Sequence, residues 1–156
     1  MSLVKSLVSS FAACLILLSF SSAHADQITL CGQTLEIGMA APTREIPADF
    51  SKFAGVWLGS INAGTEGTPC VAFAVRQVEQ FGKVWVTQAW SDVGPNKEAG
   101  YLNWIGQIEA GSMVLISPLV SYQLRIDFWQ IGNDKMSGYV VDPAGKFPVS
   151  LVRQKY

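Results

Sequence analysis

The chain has 156 residues, with 11 Lys+Arg against 12 Asp+Glu and 49 % hydrophobic residues, a length that suits one domain and excludes two once an export signal is set aside. Its near-neutral charge excludes a nucleic-acid partner, because neutralising phosphates takes a basic face that this composition lacks. Without residues 1–25, 131 residues remain, carrying 10 Lys+Arg and 12 Asp+Glu and neither His24, the lone histidine, nor Cys14, which excludes Ser-His-Asp and Cys-His catalysis and His-ligated metal sites.

The first 25 residues read as a signal peptide. Lys5 stands in a short basic region, Leu7 to Phe20 is apolar, and Ala23-His24-Ala25 forms an A-x-A cleavage site. The apolar stretch is interrupted by Ser9 and Ser10 and is shorter than the roughly 20 residues that a spanning helix needs. Cys14 is not expected to carry lipid, since Leu15 to Phe20 behind it are still apolar. Asn62, Asn96, Asn103 and Asn133 all lack Ser or Thr two positions on, so no glycosylation site argues for a eukaryotic route, and a periplasmic or extracellular location is expected.

Residues 26–49 are expected to form an extended N-terminal arm, with Pro42 and Pro47 late in it. Export leaves Cys31 and Cys70, which are expected to form a disulfide tying the arm to the body; without a C-x-x-C they do not read as a redox pair. From Phe50 onward, runs rich in Val, Ile, Trp, Phe and Tyr alternate with Gly, Asn, Asp and Pro punctuation about every ten residues, the rhythm of an antiparallel meander. Eight strands are predicted, at 56–62, 70–79, 83–91, 101–109, 113–117, 121–131, 135–142 and 147–154, making 50–156 one all-β domain, an eight-stranded antiparallel up-and-down barrel. Two longer polar links, 63–69 and 92–100, follow the first and third strands and therefore share one end, the natural mouth. Strands apolar on both faces, such as Val71-Ala72-Phe73-Ala74-Val75, imply a second cover from the arm or a partner.

Around the first strand the chain reads Asp49-Phe50-Ser51-Lys52-Phe53-Ala54-Gly55-Val56-Trp57-Leu58-Gly59. This aromatic turn leading into G-x-W resembles the opening of the calycin group, which comprises lipocalins, fatty-acid-binding proteins and avidins. The resemblance implies that Trp57 plugs the closed base of the barrel, that Arg153 packs across it, and that a small ligand binds inside. The lipocalin Thr-Asp-Tyr signature is not recognisable. Small bacterial metalloprotease inhibitors are similar in architecture, with a disulfide and an N-terminal arm.

The candidate ligand platform is Trp85, Tyr101, Trp104 and Trp129, with Arg125 as a carboxylate anchor. Gly106 beside Trp104 could mark close approach by something flat. The plain alternatives are that the tryptophans are core and that Arg125 pairs with Asp127. The acid pairs Asp92/Glu98 and Glu79/Glu109 read as solvated turn residues, so no enzyme, cofactor or metal site is expected, and a carboxylate hydrolase is the remote third class. An outer-membrane barrel is disfavoured because half of the predicted strands are shorter than the about 9 to 11 residues needed to cross, and because Pro148, Ser150, Val152 and Gln154 on one face of the last strand make no apolar band. The expectation is an exported binding protein for a small apolar or amphipathic ligand in the barrel mouth. The alternative is a protein-binding or inhibitor module acting through the arm.

Overall fold

A computed structural model describes residues 25–62, 67–92, 98–116, 125–143 and 145–155. The expected export signal lies outside them apart from Ala25, as do most of the two long links and residues 121–124 of the sixth predicted strand. The elements are β1 (Ala25–Leu30), β2 (Gln33–Gly38), α1 (Ala48–Ser51), β3 (Gly55–Ile61), β4 (Cys70–Val78), β5 (Lys83–Trp90), β6 (Gly100–Glu109), β7 (Ser112–Ile116), β8 (Arg125–Gly132), β9 (Lys135–Asp142) and β10 (Gly145–Arg153).

Strands β3 to β10 form a closed antiparallel barrel in sequential order, with β10 paired to β3. Each barrel strand falls within a few residues of a predicted strand, because the tight turns are written in residues that suit their backbone. At the β6–β7 link, Ala110 and Gly111 both have positive φ (47° and 81°), as a two-residue type I′ turn requires. Alternation then sorts the faces. Val84 and Val86, Trp104 and Ile108, Met113 and Leu115, and Ile126 and Phe128 point inward into one core with Phe53, Trp57 and Phe73. Closing the barrel also requires tight crossings. A Cβ on Gly138 would lie 1.9 Å from the Asp127 carbonyl oxygen on the adjacent strand, so the close approach of β8 and β9 there admits glycine alone.

The segment expected as an extended arm is different. Its first half is a hairpin: β1 and β2 pair from Ala25↔Gly38 to Leu30↔Gln33, turning through Cys31 (φ 49°) and Gly32 (φ 82°). The hairpin lies on the outside of the barrel. Ile28, Leu30 and Ile37 are buried against Val56, Ala72, Ala74 and Ala89, whose small side chains let the hairpin sit close. This is the second cover that the doubly apolar β4 demanded. Cys31, at the turn, is bonded to Cys70 at the start of β4, with Cα atoms 5.6 Å apart. Among the described residues no helix is long and apolar enough to cross a membrane.

Candidate functional site

Antiparallel order puts the starts of β3, β5, β7 and β9 at one end of the barrel and their ends at the other. The first end is the base. Trp57 is fully buried there and donates its indole N–H to the Phe53 carbonyl at 2.9 Å. The Arg153 guanidinium stacks 4.2 Å from the Trp57 ring. It also donates to the carbonyls of Ala54 and Lys52 and, at 3.2 Å, to that of Asn133, with Asp134 3.7 Å away. Gln130 donates to the same Lys52 carbonyl at 2.6 Å. Burial pushes the Arg153 guanidinium below its ordinary value, opposed by the Asp134 charge. Trp57 and Arg153 thus stand together, in the arrangement that the calycin resemblance implies for them.

Above the base the barrel is filled by side chains. Phe73 and Phe128 meet edge to face at 4.7 Å, and Trp104 beside them is 1 % exposed. Toward the other end the inward face becomes less buried: Ile61, Leu102 and Phe147 are only partly buried, and Trp90 likewise. Two polar groups stand out in this apolar interior. Gln88, 7 % exposed, faces Phe73 and Leu102 across its strand pairs. The indole Nε1 of Trp104 is buried with no hydrogen-bond partner. Trp104 pairs with Val86 and Leu102 with Gln88, so Gln88 and Trp104 are diagonal neighbours on one inner wall.

The five proposed platform residues do not come together. Trp104 alone faces inward. Trp85 is on the outer face, its ring under the Lys83 ammonium at 4.7 Å and its indole N–H bonded to Glu79 at 2.8 Å. Tyr101 is 54 % exposed on the outer face of β6. Trp129 packs at 5.3 Å on Tyr139, on a strand separated from Trp85 by β6 and β7. Arg125 is ion-paired with Asp127 at 2.9 Å, outside the barrel, and so does not serve as an interior anchor. Gly106 has no open flank, since a Cβ there would meet Leu115 at 2.3 Å and the Val114 carbonyl at 2.6 Å.

Sequence reasoning missed Gln88 and the inward position of Trp90. The signal was present: Val84, Val86, Gln88 and Trp90 alternate on one face, while Trp85 shares the other with Lys83 and Thr87, and the face that carries the two valines is the inner one.

No protein-family model and no curated protein matches the sequence. Among solved structures the chain is similar to a redesigned β-barrel, with a TM-score of 0.54 at 11 % identity over 69 % of this chain and 96 % of that one. It also matches an S-type phycobiliprotein lyase from Guillardia theta, with a TM-score of 0.40 at 13 % identity over 69 % of this chain and 91 % of that one. The first of these likenesses supports the barrel fold and nothing finer.

Proposed function

We propose that this is an exported binding protein, and not an enzyme, that holds a small apolar or amphipathic ligand in the half of the barrel away from Trp57. The observation that carries the reading is the orphan N–H of Trp104. A buried donor without an acceptor costs about 1 to 3 kcal/mol, and such a group in an otherwise apolar barrel interior suits a ligand with one hydrogen-bond acceptor on an apolar body. Gln88 lies one diagonal step away to serve a second polar atom. The falling burial of Leu102, Trp90 and Phe147 supports entry from their end. The Cys31–Cys70 disulfide is consistent with an oxidising compartment, periplasmic or extracellular.

The test is native mass spectrometry of protein purified from its exported compartment, compared with the same sample denatured. A mass excess that vanishes on denaturation, and that Trp104→Phe diminishes, is the expected result. A mass equal to the disulfide-bonded chain alone, with no ligand taken up from a panel of fatty acids and aromatic amphiphiles, would overturn it.

A protein-binding role for residues 26–49 takes a changed form, because one face of the hairpin is committed to the barrel. Only its outer side and free edge are left to meet a partner.

A further inference from the structure

Among the described residues a second buried polar atom without a partner lies elsewhere in the fold. Strand β4 carries a bulge: Val75 pairs with Val86 and Gln77 with Trp85, which leaves Arg76 out of the ladder. The Arg76 carbonyl accepts instead from the Ala40 N–H at 2.8 Å, pinning the chain just past β2. Its side chain turns outward beside the hairpin, where Nε is buried with no hydrogen-bond partner. A guanidinium offers donors only and does not lose its proton, so the missing partner must be an acceptor.

Arg76 lies between two depressions that share it. One, of about 460 Å³, is walled by residues 33–37 of β2 on one side and by Thr87, Tyr101 and Asn103 on the other. The next, of about 260 Å³, continues past Gly38 and Ala40 to Trp85. Together they make a trough along the edge of β2, which among the described residues pairs with β1 alone in a two-stranded sheet. Residues 33–38 include no Pro, Lys or Arg to guard that edge, and their one charge, Glu36, stands on the exposed face opposite Leu35 and Ile37. On the far wall, the Asn103 side-chain oxygen accepts from the Thr87 hydroxyl at 2.7 Å, which leaves the amide N–H groups to donate. Tyr101 and Ile105, 54 % and 50 % exposed, continue the same face of β6.

We propose that this trough takes an extended peptide segment, which adds to β2 as a third strand and sets a carboxylate against Arg76 and Asn103. A strand edge is complementary to another backbone, and a guanidinium beside an amide is complementary to a carboxylate. A free anion would answer only the second feature and would leave Tyr101 and Ile105 uncovered. The inference is independent of a ligand inside the barrel: native mass spectrometry and Trp104 report on that interior, and the peptide on this outer trough.

The experiment selects a random octapeptide phage library on the intact, disulfide-bonded protein and then titrates the enriched peptides by NMR. The expected result is enriched sequences with Asp or Glu at a fixed position, saturable shifts of the amides of residues 33–38, and a shift of the Arg76 Nε–H resonance. Arg76→Gln should weaken binding at least tenfold. Asn103→Asp, which keeps the acceptor for Thr87 and is therefore safe for folding, should do the same by repulsion. Enrichment without an acidic residue, or binding indifferent to Asn103→Asp, would overturn the proposal. So would free succinate moving the Arg76 resonance as tightly as the peptides while the β2 amides stay still, which would mark a simple anion site.

Discussion

At the scale of single residues, Arg153 and Trp104 have opposite conditions. The Arg153 guanidinium donates to carbonyls of two turns, α1–β3 and β8–β9, and stacks on the ring of Trp57. Replacing it with Met would take the guanidinium donor from the Ala54 carbonyl and leave the Lys52 carbonyl to Gln130 alone, so Arg153→Met should lower stability by about 2 to 4 kcal/mol in chemical denaturation. Arg153→Lys should recover only part of that, because an ammonium cannot reproduce the planar fork that spans two carbonyls and a ring. Trp104 has a donor and nothing to give it to. In Trp104→Phe, removal of the orphan N–H offsets the smaller ring volume, so stability should stay within about 1 kcal/mol of the parent, while retention of the barrel ligand falls. A large loss of stability with retention unchanged would make Trp104 a packing residue only.

At the scale of elements, the hairpin β1–β2 shows how much one covalent bond can hold. The Cys31–Cys70 bond closes a loop of 39 residues, worth about 4 kcal/mol in the chain-entropy account. Beneath it the hairpin buries Ile28, Leu30 and Ile37 on alanines of β4 and β5. In a Cys31→Ala/Cys70→Ala variant, hydrogen exchange of the amides in 26–38 should accelerate far more than that of β4 and β5, since the hairpin touches the barrel on one side while those strands are paired on both. Equal acceleration everywhere would mean that the hairpin and barrel unfold as one unit. This element is also where reading the sequence stopped short. The barrel strands were legible because Gly82, Gly111 and Asn133-Asp134 punctuate strong two-residue alternation. The hairpin was hidden because its turn is a cysteine followed by glycine, read for the sulfur and not for the backbone, and because the alternation of Ile28 and Leu30 before it and of Leu35 and Ile37 after it spans only a few residues. The candidate site was less legible than the fold. Trp85 and Trp90 are chemically alike, and only the facing of β5 decides which of them looks inward.

At the scale of the whole molecule, the barrel depends on backbones passing closely where sheets would otherwise stay open. The Gly138 crossing is such a place, with no room for a methyl between β9 and the Asp127 carbonyl. Gly138→Ala should therefore cost about 3 kcal/mol or more by overpacking, read as a fall in the denaturation midpoint. Gly132→Ala, where a Cβ would meet nothing within 4 Å, is the matched control. Closure itself joins β3 to β10, with Trp57 opposite Arg153, so the first barrel strand waits for the last. A chain still being made has exposed β3 and β9 edges and an unstacked Trp57, and no earlier segment can substitute for residues 145–153. Residues 145–153 thus carry both the seam and the Arg153 clasp, and a chain cut before β10 would keep every other barrel strand and still lack its closure.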